Sequence, residues 1–461
     1  MAGLATIKVV GPSYMLVDRK SAVQRAVNLY MRSVEGLGED KQVVLDSAPG
    51  LSLLVDLGAD IRGSYNAGGR WFVVAGHSLY EVTTAGVTTL RGTLGSAAGY
   101  VSMKHGRDQL VIVDGNGGYV LRLKTNAFSS IADPDWLGSA LVDELDGYFI
   151  FVDPDTDQFY ISAIDDGSSI DALDFSSADT NPDKIIAHKV RKRELHLFGE
   201  LSTEIWINSG DPDFPFVRYN STPIDVGIVG KRAVVSAADT LVWVGKTDRG
   251  QGYVYKMDGH QPVRISTQAI EEALKESSDL SQASLWTYHI EGNEFVCINA
   301  PGLETTWCYD FSSGQWHERG EFIDGAWQPL RVDQLTFVDG NHFAAAGQKL
   351  YLMSSGVYEV DGSPIVRERT WPHLMAPSFE PVSFRSVELA CTTGHGGTVT
   401  LEVSNDGGFT WGAPLLRSLG VMGRWMQRVR WHMLGASRDR VFRLRCTDAV
   451  PFVIHAASVD A

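Results

Sequence analysis

Short apolar runs separated by turn residues recur along this chain in a common register. WFVVAG near Val73, LVIVDG near Ile112, YFIFVD near Phe151, LHLFGE near Leu197, LVWVGK near Trp243, FVCINA near Cys297 and FAAAGQ near Ala345 follow one another at steps of 39, 39, 46, 46, 54 and 48 residues. After each run comes a turn and then an aromatic-bearing strand: SLYEV, GYVLRL, QFYISAI, TEIWIN, GYVYKM, TTWCYDF and KLYLM. A third turn and an outer strand usually follow, as in DGHQPVRI and SSGQWHER. Within VSMKHGRDQLVIVDGNGGYVLRL, the segments Val101–His105, Leu110–Val113 and Tyr119–Leu123 read as strands. Gly-Arg-Asp and Gly-Asn-Gly-Gly between them supply positive φ at little steric cost. A sheet of four such strands leaves an apolar face uncovered and needs neighbours like itself. A period of about 40–50 residues with four strands each predicts the blades of a β-propeller. The count gives seven blades, or six if the weaker first or last block is not one.

One stretch breaks the strand pattern and accounts for the longest step. Ser266–Glu276, STQAIEEALKE, predicts a helix with Ser266 or Thr267 as N-cap and Glu271 and Glu272 early in it. Ile270, Ala273 and Leu274 share one face, which suits packing on the propeller rim.

The period stops around TWPHLMAPSFEP, whose three prolines mark a boundary. Beyond it FRSVELACTT, GTVTLEVSNDG, RWMQRVRWHML, RVFRLRCTD and PFVIHAASV predict a separate β-unit. Alternation in RWMQRVRW puts Trp425, Val429 and Trp431 on one face and Arg424, Arg428 and Arg430 on the other. Phe442, Leu444 and Cys446 alternate in the same way with Val441, Arg443 and Arg445. The expectation is a sandwich of about five or more strands with an arginine-studded face. The chain is thus expected to be all-β: an extended N-terminal segment over 1–50, a propeller over 51–369 and a β-sandwich domain over 370–461.

Charge sharpens this division. The 461 residues carry a formal net charge of −16, of which residues 1–349 hold −17 and residues 350–461 hold +1. All 11 basic residues after Lys349 are arginines. An acidic main body argues against a nucleic-acid grip, which draws its affinity from neutralised phosphates. The arginine face has two readings, solvation or a planar, bidentate contact to carboxylates of another subunit, for which arginine is better suited than lysine. On the second reading Arg424, Arg428 and Arg430 are the candidate subunit-contact residues.

The remaining chemistry is sparse. Cys297, Cys308, Cys391 and Cys446 show no CxxC pair or metal-ligand spacing; Cys297 and Cys308 could face each other across a hairpin, and buried free thiols are favoured over a disulfide. SNDGGFTW, Ser404–Trp411, fits the Asp-box turn S-x-D-x-G-x-T-W, in which Asp406 accepts backbone N–H bonds and Trp411 packs beneath the hairpin. It occurs once, outside the blade repeat, and nothing selects the carboxylate pair a glycosidase needs. DPDTDQ (Asp153–Gln158) and SGDPDF (Ser209–Phe214) resemble fragments of calcium loops but lack the following Gly and closing Glu, and they sit where blade turns belong. HKVRKRE, His188–Glu194, reads as an edge strand with its charge spread over both faces. VGKT lacks the upstream glycine of a phosphate loop, and the sequon Asn220-Ser221-Thr222 matters only on secretion. The opening residues, interrupted by Lys8 and Gly11-Pro12, do not read as a signal peptide, and no apolar run approaches the ~20 residues of a membrane span. No catalytic residue, metal ligand or cofactor is expected.

Several stretches resemble the packaged-DNA stabilisation, or tail hub (nozzle), proteins of short-tailed bacteriophages. They are QRAVNLYMR and SAPGL near the start, VSMKHGR, STEIWINSG, and VGIVGK followed by YVYKMDGHQPVRISTQAIEEAL, then SNDGGFTW and RDRVFRLRCTDAVPFVI at the end. The likeness runs in order over nearly the whole chain; residues 132–193 share only the blade rhythm. It implies a non-enzymatic virion part made in the bacterial host cytoplasm, a ring of copies, generally six, below the portal and its adaptor. Such a ring helps to retain packaged DNA, carries tail fibres or spikes, and surrounds the channel through which genomic DNA leaves. A rival from another class is a propeller glycan-binding protein or a sialidase-like hydrolase.

Overall fold

The computed structural model describes residues 5–35, 41–181, 183–219 and 223–461; the sequon at 220–222 lies outside them. Seven antiparallel sheets form the blades of a propeller. Blade 1 is Ile61–Ala67, Arg70–Ala75, Ser78–Val82 and Thr88–Thr93. Blades 2, 3 and 4 begin at Ser102–His105, Val142–Leu145 and Ile185–Arg191. Blades 5, 6 and 7 begin at Val234–Ala237, Ser284–Ile290 and Gln334–Val338. These inner strands adjoin one another in sequence order, and the seventh returns to the first.

The runs that set the repeat are the second strand of every blade, and their burial explains their composition. Gln109–Val113 is buried along its whole length, because a neighbouring blade covers each face of the sheet. Trp71 of blade 1 stacks on Phe343 of blade 7 with ring centroids 4.5 Å apart, and Phe159 of blade 3 meets Trp206 of blade 4 edge-on at 5.1 Å. Inner strands are also fastened by polar bonds. Ser102 Oγ accepts from the Val142 N–H of the next blade at 3.2 Å, and Asp143 Oδ2 accepts from the Val190 N–H at 2.9 Å.

Ring closure is made by a strand from far upstream. Gly50–Asp56 supplies the outer strand of blade 7, pairing Leu51 with Met353 and Leu53 with Tyr351. Gly50 has to be glycine there, since a Cβ would collide with the carbonyls of Val357 and Glu359.

The residues before that strand, expected as an extended segment, contain further strands. The hairpin Leu29–Glu35 and Lys41–Ser47, together with Ala5–Ile7, joins Ile454–Asp460, Ser386–Cys391 and Val429–His432 in one sheet of the C-terminal sandwich. Val23–Val27 joins the other. It runs parallel to the outer strand of blade 6, Gln315–Ile323, and antiparallel to Arg367–Thr370, so that blade 6 and the sandwich form one continuous 11-stranded sheet. That sheet continues through Val441–Cys446, Thr398–Ser404 and Leu415–Ser418.

The predicted helix begins slightly later than its sequence signal. It spans Gln268–Lys275 with Thr267 at the cap position, buries Ala269, Ile270 and Leu274, and packs against blade 5. Ser266 turns its hydroxyl onto the Glu271 carboxylate at 2.6 Å, which Arg264 Nε also reaches at 2.7 Å.

Candidate functional site

The arginine face is divided by the tertiary structure into an internal set and an external one. Arg367, Arg369 and Arg440 are almost wholly buried. Arg369 donates to the carbonyls of Val9, Pro12 and Arg25, stapling the N-terminal segment, and burial pushes its guanidinium down to about 9. Arg443 Nε bonds Glu402 at 2.7 Å and its guanidinium lies 4.0 Å over Trp411. Arg445 Nε bonds Glu368 at 2.7 Å and stacks 4.9 Å over Phe322 of blade 6. Glu368 is buried, which opposes ionisation, yet Arg25, Arg445 and Arg443 together hold its carboxyl below the usual range. Arg445 thus reaches from the sandwich to blade 6, while Arg367, Arg369, Arg440 and Arg443 bond within the sandwich and to the N-terminal residues that join it.

Arg424, Arg428 and Arg430 do not share one strand face. Only Val429–His432 is extended. Arg428 forks onto Glu388 at 2.6 and 2.8 Å, and Arg430 Nη2 bonds Ser386 Oγ at 2.7 Å, so both lean on the adjacent strand of their own sheet. Arg424 lies exposed in a turn. Trp425, expected in the core beside Val429 and Trp431, is 60% exposed whereas those two are fully buried. The physical reason is an arch over residues 419–426 that is bonded to the turn at 393–397. Gly394 N–H reaches the Leu419 carbonyl at 2.9 Å, Gly423 N–H the Gly394 carbonyl at 2.9 Å, and Thr393 Oγ1 the Trp425 carbonyl at 2.7 Å. Gly394 sits at φ +85 directly beneath the indole, where a side chain would strike it.

The arch presents Val421, Met422, Trp425 and Met426 outward; Met422 is 77% and Met426 92% exposed. Between Asp406 and Asp439 the sequence holds five arginines and no acidic residue. Its counterpart in charge is blade 3: residues 125–183 carry 14 acidic side chains and no lysine, arginine or histidine. This acidic run is the sequence signal for that surface, and it is diluted in the net charge of −17 over residues 1–349. The outer strand of blade 3, Asp166–Ser177, leaves its partner between Ile170 and Phe175 in a bulge that exposes Leu173 and Phe175 beside Asp171 and Asp174.

Other sequence signals find structural uses. Strand Ile185–Arg191 is the inner strand of blade 4 and an edge strand of its four-stranded sheet, as the pattern of HKVRKRE suggests. Its charges are met by neighbouring blades: Lys104 and Lys189 flank Asp143 at 2.5 and 3.8 Å, and Arg191 reaches Asp239 at 2.7 Å. Burial raises the Asp143 pKa, but the two lysines outweigh it and bring the group down to about 2. In the Asp-box, Asp406 accepts from the N–H groups of Phe409 and Thr410 and from the Ser404 hydroxyl, which occupies the carboxylate within its own turn. Asp153–Gln158 and Ser209–Phe214 are blade turns, and among the described residues no group of three or more His, Cys, Asp or Glu is placed to hold a metal. Cys297 and Cys308 face each other in blade 6 as buried free thiols. Among the described residues no helix is long and apolar enough to cross a membrane.

A mouth of about 1190 Å³ opens where the inner strands begin. Asp60, Glu200 and Asp333 share it with Arg62, Lys231 and Arg232. Arg62 is turned inward onto the carbonyls of Gly99, Gly76, Ser96 and Ala98. The wall is mixed in sign and offers no continuous basic track for phosphates.

Two family models match the chain in tandem. One, described as bacteriophage P22 Gp10, beta-propeller, covers residues 23–356, and the other, bacteriophage P22 Gp10, beta-sandwich, covers residues 369–461. No curated protein matches significantly. Among solved structures, the N-terminal domain of Nup159 is similar at 8% identity, covering 71% of this chain and 99% of that chain with a TM-score of 0.42. The computationally designed Ika8 protein is similar at 14% identity, 72% and 99% coverage and a TM-score of 0.42. The WD40 propeller domain of Doa1 is similar at 12% identity, 66% and 96% coverage and a TM-score of 0.40. None of these three likenesses bears on function.

Proposed function

This chain belongs to the bacteriophage P22 Gp10 family, structural phage proteins that stabilise packaged DNA, and from that premise we propose that it is the hub of a short phage tail. In this reading copies of the chain, six by family resemblance, form a ring below the portal and its adaptor. The ring retains the genome after packaging, supports tail fibres or spikes, and surrounds the channel through which DNA is ejected. The observation that carries the reading is the tandem match, which takes in the propeller and the sandwich in order.

Two physical features support it. The single sheet running from blade 6 into the sandwich suits a part that bears load from pressurised DNA, because the two domains cannot hinge freely at a shared strand. The net charge of −16 suits a conduit, since basic walls would hold phosphates that have to slide. The test is a phage lacking the protein: its particles should fill with DNA and then lose it. Particles that keep their genomes and remain infectious would overturn the assignment.

A further inference from the structure

The arch and the blade 3 bulge are opposite in charge and alike in apolar content, and the sandwich that carries the arch shares its sheet with blade 6 and not with blade 3. We propose that the arch Val421–Met426 of one copy docks on the bulge Asp171–Phe175 of the next, a head-to-tail contact that builds the ring. The inference rests on the hub reading and names the surfaces that would make it an assembly.

Each surface is unusual for a protein left bare. Met422, Trp425 and Met426 are all exposed on one short arch, with exposed Arg424 among them in sequence. Tryptophan, methionine and arginine are the residues enriched at protein interfaces, and contiguous apolar exposure of this kind marks an interaction surface. The arch is already fixed by its backbone bonds to residues 393–397, so little ordering entropy is lost on binding. On the other side, blade 3 ends in a long outer strand without the lysines that usually protect a sheet edge. Its bulge turns Leu173, 80% exposed, to solvent. Asp174 lies beside it, raised above the usual carboxylate range by burial and by Asp171, a pair of like charges that a cation would relieve.

Position decides between partners. The sandwich is joined to blade 6, and blade 3 lies three blades away in one direction and four in the other, the far side of a seven-blade ring. The sandwich is thus anchored to its own ring three blades from the bulge, and the partner proposed for the arch is a neighbour's bulge. Two different, complementary patches make a heterologous contact, the type that closes into rings. The charge match would steer the encounter and make it salt-sensitive.

The test uses two full-length variants, each spoiled on one surface. Arg424→Glu with Met426→Glu alters the arch and leaves the Arg428–Glu388 pair in place; Asp171→Arg with Asp174→Arg alters the bulge. By analytical ultracentrifugation the unmodified chain should assemble, and each variant alone should sediment as one chain. An equimolar mixture should give a complex of two chains and no larger, because one good arch meets one good bulge. Unchanged far-ultraviolet circular dichroism and a single cooperative melting transition would confirm that both variants are folded. An unmodified chain that stays single, a variant that assembles like the unmodified one, or a mixture without the two-chain complex would overturn the contact. Genome retention by particles carrying the doubly altered protein separates the two readings. If they hold DNA as wild type does while particles without the protein leak, the hub reading stands and this contact is wrong.

Discussion

Arg25 forks onto Glu318 across 293 residues of sequence, with its Nε 3.1 Å from Glu318 Oε1. Thr305 Oγ1 donates to the same carboxylate at 2.7 Å. Both side chains of the pair are buried, and the pair joins the N-terminal strand to the outer strand of blade 6 at the point where propeller and sandwich share a sheet. Burial works against the Arg25 charge, and the Glu318 partnership more than restores it.

Removing one member of this pair leaves the other charge buried without its partner. Glu318→Ala is therefore expected to cost about 3–5 kcal/mol. Arg25→Met combined with Glu318→Leu should cost less than Glu318→Ala alone, since no unpaired charge remains. Denaturant unfolding of the three proteins checks the order.

Ring closure gives a second contrast, between two leucines on one strand. Leu51 is buried under blade 7 and Leu53, two residues on, is half exposed. Leu51→Ala should destabilise by about 2–5 kcal/mol, as expected for a truncated core leucine. Leu53→Ala should stay within about 0.5 kcal/mol. Equal losses at the two positions would argue against closure by this strand.

Acid should weaken the propeller through its buried histidines. Burial lowers His188 to about 4, with Asp143 opposing and Lys189 and Lys104 assisting, and burial lowers His196 to about 4 as well. The fold favours the neutral ring, so this stability is fully present above the unfolded value near 6.5 and is lost as pH falls toward and through about 4. For His188 the loss is about 3 kcal/mol at most. Urea midpoints between pH 7 and 4.5 should fall for the unmodified chain and fall less for His188→Leu.

Limited proteolysis should cut between Thr370 and Pro381, where Met375 and Phe379 are exposed. Because residues before 48 supply strands to the sandwich, the two fragments should separate on a denaturing gel yet elute together in native buffer. Separate native elution would show that the N-terminal strands do not hold the sandwich.

The blade rhythm was legible because it is made by local hairpins. Each apolar run is buried on both faces, so its composition records its position whatever the neighbouring blade is. The same locality made the Asp-box turn and the helix at 268–275 readable. What determines ring closure, by contrast, is a pairing between Leu51 and Met353, and no local pattern marks two strands that distant as partners. The arginines show the same limit. Alternation near Arg424 suggested a strand, but hydrogen bonds from residues 393–397 bend that segment into an arch and turn Trp425 outward. Sequence determined that the C-terminal region would carry only arginine as its basic residue. Which arginines weld the domains, as Arg445 does, and which stay exposed, as Arg424 does, was decided by the acids that tertiary packing placed opposite them.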